Sequence, residues 1–422
     1  MLEQLDMAIP LCVLGLSDVT IEGIYLRNGC ELIIKVVSTE EKIHCRKCGA
    51  ICDKHGNDRE MELRHLPILG YQTYIQISPK RGICKQCNDK PITTTQTLNW
   101  YDRKARQTKA YEDYLLFSLV SSTVADISRK ESIDEHTITQ LLDKKVQTKV
   151  DFNTINKLGL LGIDEISLRK GRGEYVSVIT YRLDQQVNIL AVLEGRKKAD
   201  VLKFLKSIPP HLKKTVTAVC CDLYDGYIQA AKAVFADKVV TADRFHVAKL
   251  YRKKLVSIRK SELAKLKKRL SKDQYQSLKD AIAVLRKGRD YFTDAEKEIV
   301  QKLFNYSPKL RLAYQFSREL TAIFDTHHNK DEAQIHLREW IERVSHSQLT
   351  VFNGFIKTLC KYMDEISNYF ISRNNSGFVE GFNNKIKSMT RRCYGLKSAK
   401  RLFQRLKLDT LGISMFAFQP AI

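Results

Sequence analysis

The chain has 422 residues, 43% of them hydrophobic, which is enough to bury a large core in two or more domains and excludes a disordered protein. Lys and Arg number 71 against 48 Asp and Glu, and the net charge of +23 favours a polyanionic partner through counterion release. No run reaches the roughly eighteen apolar residues of a membrane span, and a start carrying Glu3 and Asp6 lacks the basic character of a signal peptide. A cytoplasmic chain is therefore expected, with its eleven cysteines reduced rather than paired.

Residues 1–40 read as a lead-in with strand character from Thr20 to Val37. Cys45 and Cys48 follow, and after a gap of thirty-five residues Cys84 and Cys87. Two Cys-x-x-Cys pairs offer four thiolates, the closed tetrahedral shell of structural Zn²⁺, with Gly49 and Gly82 placed to supply turn geometry. Cys52 and His55 are candidate substitute ligands, and Met61 to Ile77 has room for strands inside the gap. Arg46, Lys47, Lys80, Arg81 and Lys85 would surround the metal, either as a DNA contact or as a solvated basic face. This zinc-binding segment is placed at residues 1–99.

Residues 100–150 read as helical. Tyr111 to Val120 and Thr123 to Ser128 are two helices, and Ser132-Ile133-Asp134-Glu135 has the form of a capping box opening a third. That third helix carries Thr137, Thr139, Gln140 and Lys144. A short helix, a turn and a longer helix with polar side chains outward resembles a helix-turn-helix DNA reader, although any three-helix connector would look similar.

From residue 151 the pattern turns to strands. Leu158 to Asp164 is a short apolar run that reads as a buried strand with an acid at its end. Gly173 to Arg182 and Val187 to Leu193 are β-rich runs separated by a polar turn, so three strands can pair antiparallel. A helix fits Lys198 to Ser207. Thr215 to Cys221 is a further strand ending on Asp222, and Tyr224 to Phe235 an amphipathic helix. Lys238 to Ala242 is a last strand, ending on Asp243. This is the element order of an RNase H-like α/β domain, assigned to residues 151–243. One acid per strand tip suits hard oxygen-ligated ions and phosphodiester chemistry. Glu165 adjoins Asp164, and neighbours on a strand point to opposite faces, so only one of them can face the site. Asp164 is preferred.

Residues 244–372 read as an α-helical insertion, with helices at Tyr251 to Leu270, Gln274 to Arg286, Asp294 to Phe304 and Asp331 to Val344. Its basic residues, among them Arg252, Lys253, Lys254 and Arg259, either track phosphates or solvate helix faces. Trp340 is open to stacking on a displaced base or to ordinary core packing. Residues 373–422 complete the core: Asn375 or Ser376 can cap a helix on which Glu380, Asn383, Asn384 and Lys387 fall at offsets of zero, three, four and seven. Arg391, Arg392, Lys397, Lys400, Arg401 and Arg405 extend the basic character.

Gly162-Ile163-Asp164-Glu165, Asp222 in Cys-Asp-Leu-Tyr-Asp-Gly-Tyr, Ala242-Asp243-Arg244-Phe245-His246-Val247 and Val379-Glu380-Gly381-Phe382-Asn383-Asn384-Lys385-Ile386-Lys387 together resemble bacterial insertion-sequence DDE transposases. The paired Cys-x-x-Cys segment ahead of them resembles the zinc-binding domain of the ISL-three family. The resemblance implies an RNase H-like core with the catalytic, metal-binding triad Asp164, Asp222 and Glu380, and Asp243 in support. It implies two Mg²⁺ (or Mn²⁺) ions, hydrolysis at the transposon ends, and joining of the freed 3′-hydroxyl to target DNA. Nucleic-acid contacts are expected from Thr137, Gln140, Lys144, Asn383, Asn384, Lys387, Arg391 and Arg392. A homodimer holding two terminal repeats of double-stranded DNA is expected, associated with the nucleoid. The rival reading is a non-enzymatic, zinc-containing DNA-binding regulator derived from a transposase. A general nuclease acting on RNA–DNA hybrids shares the acids but leaves the zinc segment unexplained.

Overall fold

The computed structural model describes residues 2–87, 92–168, 174–184, 186–278, 281–285, 292–372, 377–396 and 398–417. The side chains of residues 282–283 and of 372–380 within helices lie outside the described set. The chain forms two compact units, residues 1–147 with 404–422, and residues 148–403.

In the first unit, β1 (Leu2–Gln4), β2 (Val19–Arg27) and β3 (Glu31–Ser38) follow one another around the short helix α1 (Leu11–Leu14). Next come β4 (Asp53–Asn57), β5 (Met61–Ile68), β6 (Tyr71–Ile77), β7 (Lys80–Cys84) and β8 (Ile92–Thr95). They build two sheets, one of order β1-β2-β3-β6-β5 and one of order β4-β7-β8. The first forty residues therefore supply three of the five strands of a sheet rather than a lead-in: β3 pairs in parallel with β6, and Leu32, Ile34, Leu63 and Ile75 bury the shared apolar face. Met61 to Ile77 does form strands, but they pair with this sheet and leave the cysteine loops a separate small sheet of their own.

Helices α2 (Lys109–Ser118), α3 (Val124–Glu131) and α4 (Glu135–Lys145) follow. Thr108 and Thr123 cap the first two through their side chains. The cap of α4 is Asp134, which accepts from His136 N, while Ser132 closes α3 in the left-handed region at φ 54°. The expected capping box thus yields to a three-residue turn, because Ser132 is needed where the chain reverses.

The second unit begins with β9 (Gly159–Ser167), β10 (Tyr175–Leu183) and β11 (Gln186–Glu194), then α5 (Lys198–Ser207), α6 (Pro210–Lys214), β12 (Val216–Cys221), α7 (Asp225–Val234) and β13 (Val239–Ala242). The sheet order is β11-β10-β9-β12-β13, with β9, β10 and β11 antiparallel and β12 and β13 parallel to β9. Six consecutive buried residues in β9 fit a central strand covered on both faces. That strand does not stop at Asp164: it continues to Ser167, with Asp164 opposite Val178.

The insertion is α8 (Arg244–Arg269), α9 (Lys272–Gln276), α10 (Ala281–Val284), α11 (Asp294–Tyr306), α12 (Pro308–Asp325), α13 (Lys330–His346), α14 (Asn353–Lys361), α15 (Met363–Ser367) and α16 (Tyr369–Ser372). Helix α8 starts seven residues ahead of the expected Tyr251, because Asp243 caps it by accepting from Phe245 N. Gln274 to Arg286 is two short helices rather than one, and Arg286 lies outside the described residues. One continuous apolar core runs from Leu161 in the sheet through Tyr251 and Trp340 to Phe370, so the insertion and the sheet are packed as one body. Trp340 is buried and its Nε1 donates to Phe316 O at 2.9 Å, which assigns it to the core and removes it as a base-stacking surface.

Helix α17 (Gly377–Arg392) returns to β9. Asn375, Ser376 and Lys397 lie outside the described residues. Helix α18 (Ala399–Phe416) passes into the first unit, where Leu408 and Phe416 join Tyr111, Leu115, Ile138 and Leu142 in one apolar cluster. Arg405 is buried there, donating to Leu119 O and Ser122 O, so it belongs to the packing of these helices and not to a basic surface. Among the described residues no helix is long and apolar enough to cross a membrane.

Candidate active site and metal centres

Register places the acids of the second unit. Cys221 pairs with Ile163 on one side and with Ala242 on the other. One residue further along each strand stand Asp164, Asp222 and Asp243, in a row across three adjacent parallel strands spaced about 4.8 Å apart. Backbone hydrogen bonds continue the ladder into that row, from Asp222 N to Ile163 O at 3.1 Å and from Asp243 N to Cys221 O at 2.9 Å.

The three acids then diverge in role. Asp164 is buried, 6% exposed, and accepts from Glu165 N at 2.6 Å and from Asn383 Nδ2 on α17 at 2.5 Å. Burial, and then the charge of Asp222, push its carboxyl up to about 6. Glu165 faces the other way and pairs with Arg196 at 3.3 Å, as strand alternation requires. Asp243 is spent on the α8 cap. One turn into that helix, His246 turns its Nδ1 back onto Asp222 Oδ1, with its Nε2 at 3.8 Å from Asp243. Burial pulls the imidazole down, but Asp222, Asp164 and Asp243 outweigh it and the net shift is upward.

Asp164, Asp222 and His246 present ligand atoms within 4.8 Å of one another. Two clustered carboxylates, one of them buried against its own ionisation, and an orphaned buried Oδ1 on Asn383 fit a hard divalent cation. Glu380 lies on α17, but its side chain is outside the described residues. Asn383 is buried against Asp164, whereas Asn384 and Lys387 are exposed, so the expected four-residue face divides between the site and solvent. Arg391 is exposed and its Nε donates to Lys387 O, while Arg392 is half-buried. His246 is the participant that sequence reading left without a role. Its signal was a strand-ending Asp followed three residues later by His, which is one helical turn back towards the strand tips.

In the first unit Cys45, Cys48, Cys84 and Cys87 bring four Sγ atoms within 4.8 Å. The Cys45–Cys87 and Cys48–Cys84 separations are 3.5 and 3.6 Å. A tetrahedron of Zn–S bonds has edges of about 3.8 Å, so the cluster fits zinc with little adjustment. Cys45 N donates to Ala50 O at 2.8 Å and Gly49 N to Cys45 O at 2.9 Å, with Gly49 at φ 76° to close the knuckle. The backbone N–H groups of Cys48 and Lys47 hold the Cys45 thiol down at about 6, which favours the thiolate a metal takes. Cys52 is buried beside the cluster with its thiol pushed up by burial, and His55 is exposed on β4; neither joins the four.

On α4, Thr137 is half-buried and Gln140 exposed, its Nε2 at 2.9 Å from His136. Lys144 instead reaches Asp102 at 2.5 Å and the buried Glu112 at 3.1 Å, so its ammonium ties α4 to α2 and to the preceding loop.

With this geometry in place, residues 161–406 match the family of ISL3 transposases, a span of more than half the chain. The chain belongs to the ISL3 transposase family. It is similar over nearly its whole length to the transposase for insertion sequence element IS1001 of Bordetella parapertussis, 24% identical over 380 residues, 90% of this chain and 91% of that protein. It is likewise similar to the transposase for insertion sequence element IS1557 of Mycobacterium tuberculosis, 20% identical over 421 residues, 94% of this chain and 92% of that protein. The matched span takes in all of β10 to α17, and both Asp164 and Asn383 with it.

Proposed function

We propose that this family member cuts the strands at the ends of its own insertion sequence and transfers the freed 3′-hydroxyl to target DNA. The observation that carries the reading is the pair Asp164 and Asp222 on adjacent parallel strands, with Asn383 of α17 bonded to the first. The sheet order β11-β10-β9-β12-β13, three antiparallel strands followed by two parallel ones, supports reading the second unit as an RNase H-like core, in which carboxylates at neighbouring strand ends serve phosphodiester chemistry. Glu380 precedes Asn383 by three residues in the α17 sequence. It completes the triad in this reading.

Asp164, Asp222 and Glu380 would hold two Mg²⁺ or Mn²⁺ ions, which when bound supply Lewis-acid stabilisation of the entering and leaving oxygens of a phosphodiester. Asp164 is held by Glu165 N and Asn383, so its orientation is set before DNA arrives. Burial of the site under β9 and α17 excludes bulk water from one side and strengthens every interaction with a phosphate. The four-cysteine centre holds structural zinc and shapes the small sheet for DNA, and α3 and α4 with the turn between them are the helix-turn-helix reader. Thr137 and Gln140 face the end repeat, with Lys144 in a bracing role. Asn384, Lys387, Arg391 and Arg392 contact the phosphates of the strand being cut. The active form is a homodimer on paired double-stranded ends, working in the cytoplasm at the nucleoid.

The test is Mg²⁺-dependent cleavage of DNA carrying the element's terminal repeats, comparing the natural protein with Glu380→Gln. Cutting by the first and not by the second supports both the reaction and the third ligand. Tight end binding by both with no cutting by either would make the non-enzymatic regulator the better description.

A further inference from the structure

Asp164 and Asp222 are not held alike. Asp164 lies within β9 and accepts from two donors, one on the backbone and one on α17. Asp222 lies just beyond β12, in a stretch of no regular structure before α7 begins at Asp225. Its backbone is fixed, with its N–H on Ile163 O and its carbonyl accepting from Tyr224 N at 2.7 Å. Its carboxylate is a different matter. Among the described residues, the hydrogen-bond partner of that carboxylate is His246 Nδ1, which meets Oδ1.

His246 is itself unusually well placed to act as a fixed arm. Helix α8 begins at Arg244 because Asp243 accepts from Phe245 N at 2.8 Å. Arg244 reaches Asp325 and the Tyr369 hydroxyl, pinning the first turn to the insertion. Val247, the next residue after His246, is fully buried. The imidazole therefore cannot drift along or around the helix. Its Nε2 lies on the Asp243 side at 3.8 Å, so Nδ1 is the ring nitrogen turned to Asp222 Oδ1, and a neutral ring with its proton on Nδ1 donates there.

We propose that His246 is a positioning residue that locks the Asp222 carboxylate by donating from Nδ1 to Oδ1, leaving Oδ2 for the catalytic cation. Asp243 belongs to the same device, since it sets the start of the helix that carries the imidazole. An outer partner of this kind raises the affinity of a metal site without touching the metal, typically by about 10- to 100-fold. The inference rests on the reading of Asp222 as a metal ligand, and its test separates the two.

The experiment is Mn²⁺ titration of the zinc-loaded full chain without DNA, following free Mn²⁺ by electron paramagnetic resonance. It compares the natural protein with Asp222→Asn, His246→Ala and His246→Asn, each checked for an unchanged circular dichroism spectrum. His246→Ala is expected to weaken Mn²⁺ binding by about 10- to 100-fold. His246→Asn is expected to return it to within about threefold of the natural protein, because the Asn Nδ2 sits where the imidazole Nδ1 does. Equal binding by His246→Ala and the natural protein would overturn the positioning role. Equal loss in His246→Asn and His246→Ala would also overturn it, and would make the imidazole a ligand in its own right. If Asp222→Asn binds Mn²⁺ as the natural protein does, it is the metal-ligand reading of Asp222 that fails, whatever the His246 variants do.

Discussion

Asp164 shows what burying a carboxylate costs a fold. Its folded-state carboxyl titrates at about 6, above the ordinary 3.8. The folded protein therefore holds a proton there that the unfolded chain gives up, and stability falls as pH rises from about 4 to about 6 and stays lower above that. At about 1.36 kcal/mol for each tenfold change in proton affinity, the penalty at pH 8 is about 3 kcal/mol. In EDTA, Asp164→Asn should accordingly melt higher than the natural protein at pH 8 and show almost no difference at pH 4. A variant equal to or less stable than the natural protein at pH 8 would mean that the burial does not strain the ionised site. Asp164 and Asp222 were legible because each closes an apolar run. His246 had a weaker signal, a single histidine in the first turn of a basic helix, and its contact with Asp222 exists only because Asp243 starts α8 at that point.

At the scale of elements, the cysteine loops are held by chemistry rather than by a core. Sheet β4-β7-β8 has only a small apolar cluster, made largely of Ile43 and the cysteines themselves, whereas sheet β1-β2-β3-β6-β5 buries leucines, isoleucines and Trp100. Cys84 is fully buried and ends β7, the central strand of the smaller sheet. Cys84→Ser should bring zinc from about one equivalent per chain to near zero by atomic absorption. It should also speed amide exchange in β4, β7 and β8 while leaving β2, β3 and β6 protected. Stoichiometric zinc in that variant would show that the ligand set is wrong. The strands and helices themselves were readable from periodicity, and α5 has the bounds its pattern implies. The start of α8 and the cap of α4 were not, because each depends on which acid the chain presents to the helix N-terminus.

For the whole molecule, a surplus of 23 positive charges would make the proposed association with DNA chiefly a matter of phosphates. End binding should weaken by at least about a hundredfold between roughly 50 and 200 mM salt, on the scale of about six or more phosphate contacts. Fluorescence anisotropy with labelled end DNA measures it, and a flat salt dependence would contradict the expectation. Part of the charge is already committed inside the fold. Lys144 and Lys145 neutralise the buried Glu112, and Arg405 serves backbone carbonyls. Only the remaining cations are available to DNA, which is why counting lysines and arginines along the chain overstates the surface.

What the amino-acid order determined by itself was local: the strand and helix periods, the two cysteine pairs and the acids that end apolar runs, all set by neighbours within a few residues. Tertiary structure decided which of these meet. The parallel register of β9, β12 and β13 put Asp164, Asp222 and Asp243 in one row, and α17 brought Asn383 across more than two hundred residues to Asp164. It also divided the first unit into two sheets by pairing β3 with β6, and returned α18 to the helices of residues 109–145. Such pairings depend on apolar faces that are complementary only in three dimensions, and sequence separation carries no information about them.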